Sequence, residues 1–155
     1  MKSNMDNLDR RLLDALQRDC RQSMAELSAK VGLSPSACHR RIGLLEEAGV
    51  IARYVAVLDP AALGLGIEFN VEISLNSQTD EALAAFEKAV NRVPEILECH
   101  LMTGGADYIL RVAARNIADY ERVHRERIGR LPHVARIESS LRLRAVKRWQ
   151  GYVLT

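Results

Sequence analysis

LSPSACHRR, Leu33 to Arg41, is the stretch on which the reading of this sequence turns. It sets a cysteine, a histidine and two arginines directly behind a Ser-Pro pair. Three chemistries share that composition: a nucleophile with its base, a pair of metal ligands, or a helix start that meets an anion. Spacing separates them. Ser34 is placed to cap a helix, with Pro35 at its first position, where a missing N–H costs nothing. On such a helix Cys38, Ile42 and Leu45 lie four and three apart and share an apolar face, which must be the buried one. Cys38 and His39 are adjacent and diverge by about 100°. They therefore do not pair as ligands, or as nucleophile and base. Ser36, His39, Arg40 and Gly43 form another face, without an acid. A helix start with free N–H groups and that face suits an anion. The plainer reading is a solvated basic face.

Working outward, the apolar spacing predicts three helices, at about Leu8–Asp19, Met24–Val31 and Pro35–Ala48. Ser23 and Glu26 have the spacing of a capping box for the second, and Gly49 ends the third. After Gly49 the period changes to two. VIARYVAVLD, Val50 to Asp59, reads as a strand or short hairpin. Three helices, the last lifting polar and basic residues, followed by such a strand, describe a winged helix-turn-helix.

PAALGLG, residues 60–66, reads as a linker. Beyond it Ile67, Phe69, Val71, Ile73 and Leu75 alternate with polar residues as one strand face. A helix capped by Thr79 is expected over Asp80–Arg92, then strands at ILECHLM and DYILRVA joined by TGGA. A helix capped by Asn116 follows, and a last strand runs from about Val134 to Val146. Arg-x-Pro-x-aliphatic recurs at Arg92 and Arg130, 38 residues apart, between helix and strand. A strand–helix–strand unit used twice is the ferredoxin-like βαββαβ arrangement, its helices on one face of an antiparallel sheet. The opposite face is expected to carry Glu68, Glu72, Glu98, Arg111, Arg142 and Arg144 beside Ile96, Met102 and Ile109. The expected fold class is thus α+β. The expected domains are a winged helix-turn-helix over 1–59, a linker over 60–66, and a ferredoxin-like domain over 67–155. Domains this small are marginally stable alone, so a homodimer is expected.

Composition narrows the function classes. The 155 residues are 48% hydrophobic and 27% charged, ordinary values for a globular protein. No apolar run approaches the ~18–20 residues of a membrane span, and MKSNMDNLDRRLL has no signal-like apolar core. A cytoplasmic location without a membrane partner is the expectation. Cys20, Cys38 and Cys99 are scattered and form no CxxC, which argues against a metal site or a disulfide framework. Cys99 and His100, adjacent on a strand, point to opposite sides of the sheet. Neither a catalytic residue nor a cofactor is expected. Net charge is +2, with +1 on each side of Gly64 (9 basic against 8 acidic residues before it, 13 against 12 after). Any electrostatic footprint is therefore local. RNA binding through the sheet needs stacking aromatics on the central strands; the third strand offers only Tyr108 and the second none.

LDRRLLDALQRDCRQSMAELSAKVGLSPSACHRRIGLLEEAGVIARYVAVLDPAALG resembles the N-terminal domain of the leucine-responsive/asparagine-regulator (Lrp/AsnC) family. VPEILECHLMTGGADYILRV and the later VKR are similar to its effector domain. The resemblance runs from about Leu8 to Arg148. It implies a DNA-binding transcriptional regulator of dimers built into octamers or similar rings, whose assembly and DNA occupancy respond to a small molecule, usually an amino acid. The implied partner is double-stranded DNA, contacted by Ser34, Ser36, His39, Arg40 and Arg41. The implied effector residues are Leu101, Thr103, Gly104, Asp107 and Ser139. Glycines in TGGADY expose N–H groups to a carboxylate, and Asp107 suits an α-amino group. On residue chemistry alone a plain hairpin turn capped by Asp107 fits as well. One departure is that the family often carries basic residues where this chain has Gly43 and Leu44. The competing reading is a small-molecule-binding ferredoxin-like protein without a DNA role.

Overall fold

A computed structural model describes residues 5–154. The chain forms two compact units, one taking residues up to Val57 together with those from Val146 onward, the other Leu58–Ala145.

The first unit contains α1 (Asn7–Arg18), α2 (Met24–Val31) and α3 (Pro35–Glu47). Each start is capped as its sequence dictates. Asp6 accepts the Asp9 N–H, and Asp9 reaches back to the Asp6 N–H, closing a capping box on α1. Ser23 and Glu26 do the same for α2. Ser34 accepts the Ala37 N–H at the head of α3. The turn between α2 and α3 is made by Gly32, left-handed at φ +77°, whose N–H donates to the Ser28 carbonyl at 2.9 Å. Leu12, Leu27, Val31, Cys38 and Ile42 form the core beneath.

The second unit is the expected βαββαβ. Its elements are β1 (Ile67–Leu75), α4 (Asp80–Val90), β2 (Ile96–Leu101), β3 (Tyr108–Ala114), α5 (Ile117–Glu126), a single 3-10 turn (Ile128–Arg130) and β4 (Val134–Leu141). Strand order is β2-β3-β1-β4, with every neighbouring pair antiparallel. Phe69, Val71, Ile73 and Leu75 of β1 are buried with Leu110 and Val112 of β3 under Phe86, Val90, Tyr120 and Val123 of the two helices. The rings of Phe69 and Tyr120 stack at 3.5 Å. Across the sheet, Arg111 joins Glu68 (3.1 Å) and Glu98 (2.6 Å), and Arg142 also reaches Glu68.

Four expectations are corrected. Ile96 does not share a face with Glu98: the register of β2 on β3 shifts between them, and Ile96 packs on the helix-covered core. One extra residue in a strand reverses the side of everything before it. The strand expected over Val50–Asp59 is not formed. Residues 52–59 are exposed and join no ladder, because a strand exists only against a neighbour. β4 stops at Leu141, opposite Phe69, short of the expected Val146; beyond it only the Arg142 N–H still donates to β1, at the Glu68 carbonyl (2.9 Å). Residues from Val146 onward do not belong to the ferredoxin-like unit. The Gln17 amide on α1 donates to the Tyr152 carbonyl (3.1 Å) and accepts the Tyr152 N–H (2.7 Å), in the manner of a paired strand.

Nothing lies within 4 Å of a Cβ built on Gly32, so substitution there meets only backbone strain. Gly32→Ala is expected to lower the stability of the helical unit by ~1–2 kcal/mol, seen as a lower urea midpoint at unchanged slope.

Candidate functional site

The apolar seam of α3 fixes what the helix shows. Cys38, Ile42 and Leu45 are buried, while Ser34, Ser36, His39 and Arg40 are exposed. The Ser34 and Ser36 hydroxyls lie 3.2 Å apart, and the first turn of α3 holds no acid. His39 and Arg40 make no hydrogen bond or ion pair among the described residues. Two hydroxyls, an imidazole and a free guanidinium therefore stand together at a helix N-terminal half, an arrangement complementary to phosphate and to base edges.

Arg41 is placed differently from its neighbour. Its Nη1 donates to Asp9 Oδ1 at 2.7 Å and lies 2.9 Å from Asp6 Oδ2, with only 22% of the side chain exposed. The Asp6 carboxyl is held below its ordinary value, first by the Asp9 N–H it accepts and then by Arg41. Sequence position grouped Arg41 with the DNA-facing residues, but the structure turns it toward α1.

In the second unit Leu101, Thr103, Gly104 and Asp107 come together in the β2–β3 connection. Gly104 adopts φ +131°, open to glycine alone. The Met102 N–H donates to the Asp107 carbonyl (2.8 Å), and the Asp107 N–H to the Ile73 carbonyl (2.9 Å). Between them, the N–H groups of Thr103, Gly104, Gly105 and Ala106 make no hydrogen bond among the described residues. Four unpaired donors in one exposed loop suit a carboxylate.

The Asp107 carboxylate is already engaged. Oδ2 accepts the Leu75 N–H and Oδ1 accepts the Gln78 amide, both at 2.7 Å. Gln78 is the residue that sequence reasoning missed, since nothing in the chain connects positions 29 apart. Ser139 is not brought to this loop by any bond. It lies on β4 opposite Val71 of β1, and its hydroxyl accepts from Tyr120 Oη at 2.5 Å. Burial pushes the Tyr120 phenol up. The described residues contain no group of three or more His, Cys, Asp or Glu that could hold a metal, and no helix long and apolar enough to cross a membrane.

Comparison with known proteins adds to this geometry. Residues 5–46 match the AsnC-type helix-turn-helix domain, and residues 68–151 match the Lrp/AsnC ligand binding domain. The chain is 40% identical to a proline dehydrogenase transcriptional activator of Rhodobacter capsulatus, over 94% of this chain and 95% of that protein. It is 37% identical to the leucine-responsive regulatory protein of Escherichia coli, over 97% and 92%. Among solved structures, a transcriptional regulator of Neisseria meningitidis in complex with L-Met superposes with a TM-score of 0.92 at 30% identity, covering 97% of both chains.

A Cβ on Gly43 would also meet nothing within 4 Å, and Gly43 lies inside α3 at an ordinary helical φ. Gly43→Ala is expected to stabilise the helical unit by ~0.5–1 kcal/mol, read as a higher urea midpoint. If α3 backbone approaches a duplex at this point, the same variant binds that duplex more weakly.

Proposed function

The chain belongs to the Lrp/AsnC family of transcriptional regulators, and on that premise we propose that Ser36, His39 and Arg40 of α3 read double-stranded DNA while the Thr103–Asp107 loop takes an amino-acid effector. The observation that carries the DNA reading is the free Arg40 and His39 on an exposed, acid-free helix face. A guanidinium there either forks onto a guanine edge or neutralises a phosphate and releases its counterion. Ser34 and Ser36 add donors at the helix start, which position without specifying.

Support for the effector reading comes from the loop. Its four unpaired N–H groups complement an α-carboxylate. Asp107 complements an α-amino group, for a carboxylate has about four acceptor positions and two are taken. An ammonium group would share Asp107 with Gln78 or displace it. The Neisseria meningitidis relative holds L-Met, and the Escherichia coli relative is named for its response to leucine. Leu101 and Ser139 carry less weight, Ser139 because its hydroxyl is engaged by Tyr120.

Regulation then follows from linkage. Dimers assemble into an octamer or a similar ring, and an effector that binds one assembly state more tightly shifts that equilibrium and with it DNA occupancy. The protein acts on DNA in the cytoplasm and carries out no catalysis.

Fluorescence anisotropy against the DNA upstream of its own gene tests the first claim. Arg40→Ala is expected to lose ~1–3 kcal/mol with relaxed preference at one base position if Arg40 reads a base. If it meets phosphate, the salt slope falls by about one. Unchanged affinity and unchanged slope together would overturn the assignment. For the effector, thermal shift with each amino acid identifies the ligand, with about 2.7 kcal/mol of stabilisation at a hundredfold excess over Kd. Asp107→Asn keeps an acceptor for Leu75 but removes the charge, and is expected to abolish the shift. Gln78→Ala is expected to retain it. A full response in Asp107→Asn would refute the loop as the site.

A further inference from the structure

We infer that Arg41 is a positioning residue for DNA recognition: by bridging Asp9 and Asp6 at the start of α1, it fixes the rotation of α3 so that Ser36, His39 and Arg40 are presented together. This rests on the DNA-reading face proposed above.

Three side chains form the latch. One Arg41 nitrogen is shared between Asp9 (2.7 Å) and Asp6 (2.9 Å). The same two carboxylates close the α1 capping box, at 2.8 and 3.1 Å from each other's backbone N–H. The first turn of α1 and the middle of α3 are therefore one network. Arg41 and Asp9 are partly buried, at 22% and 16% side-chain exposure, so this pair is less screened than a fully exposed one.

α3 needs a second anchor because its apolar seam is narrow. Cys38, Ile42 and Leu45 are its buried residues, and none is aromatic. A single line of small contacts resists separation better than it resists rolling. Arg41 stands at the edge of that line, about 100° from Ile42, so its bonds oppose roll. Presentation of a binding constellation tolerates only about 0.5 Å and 10–20°. Arg40 and Arg41 line one notch of about 250 Å³ with Asp9, Leu44 and Leu45.

Charge argues that Arg41 does not itself grip DNA. Two carboxylates surround one guanidinium, and Asp6 is half-exposed. The cluster as a whole carries a charge of −1 and repels a phosphate.

The test uses the full chain and the duplex that the wild-type protein selects from a random double-stranded library, with an unselected duplex beside it. Asn at position 9 keeps a capping acceptor and removes the charge; Met at 41 keeps the stem. Arg41→Met and Asp9→Asn are each expected to weaken binding to the selected duplex by roughly fivefold. The double variant is expected to be no weaker than Arg41→Met alone. Salt slope and affinity for the unselected duplex hold, and Arg41→Lys recovers most of the loss, since an ammonium can also bridge two carboxylates. Amide exchange over residues 36–44 of the free protein quickens in both single variants and not in Arg41→Lys. If Arg41→Met fails to fold, Asp9→Asn and Arg41→Lys carry the comparison.

A salt slope lower by about one in Arg41→Met, with Asp9→Asn binding as well as wild type or better, would make Arg41 a phosphate contact and overturn the inference. Wild-type binding in both single variants would overturn it equally. A wild-type chain that selects no sequence would instead defeat the DNA reading itself and this role with it. The exchange data would still report whether the latch holds α3.

Discussion

The chemistry displayed by α3 depends on one constraint: Cys38, Ile42 and Leu45 must leave water together. Each is at most 8% exposed, and Cys38 and Ile42 join Leu12 of α1 and Leu27 and Val31 of α2 in the core of the helical unit. Burial of one such side chain contributes about 1.5–3 kcal/mol, several times what an exposed charge contact is worth. The core therefore decides the rotation of the helix first, and the polar residues occupy what is left. Ser36, His39 and Arg40 face outward because they are out of phase with that seam. The apparent Cys-His pair is divided by the same phase, one member inside and one out.

The sheet obeys the same economy with a different period. β1 is paired on both sides, so its alternate residues are committed to the core or to the open face along nearly its whole length. The open face collects Glu68, Glu98, Arg111 and Arg142 into one ion-paired group. The irregular β2–β3 connection is held to this rigid strand by Asp107, which closes on the Ile73 carbonyl and the Leu75 N–H. A flexible glycine loop with one fixed end can keep its N–H groups exposed without collapsing onto itself. The Asp107 bonds that make the loop stand are thus as important as any ligand contact it makes.

Much of this was legible in the sequence, and the illegible part has a common cause. Periodicity located the three helices and the four strands of the ferredoxin-like unit, and the caps at Ser23, Ser34, Thr79 and Asn116 stand where expected. These features are local: each is decided within a few residues of chain. What escaped were partners distant in sequence. Arg41 belongs to Asp6 and Asp9, and Asp107 to Gln78 and Leu75. Ser139 belongs to Tyr120, and Tyr152 to Gln17. A guanidinium beside another guanidinium looks equally available until its neighbours are known. The displaced face of Ile96 has a related origin, since a shift of register leaves no mark on composition. The alternation of Val50–Asp59 describes a segment able to be a strand, but supplies no second strand to receive it.

The clamp between Gln17 and Tyr152 ties the first helix to chain that lies beyond the sheet in sequence. Gly151, at φ +102°, brings the chain so close to Gln17 that a Cβ would lie 2.5 Å from its side-chain oxygen. The segment is thus shaped to fit α1. By its contacts the helical unit is interrupted in sequence by the whole of the ferredoxin-like unit, which is in effect an insertion within it. The flank of α1 that Tyr152 meets is covered by chain that follows all four strands of the sheet in sequence.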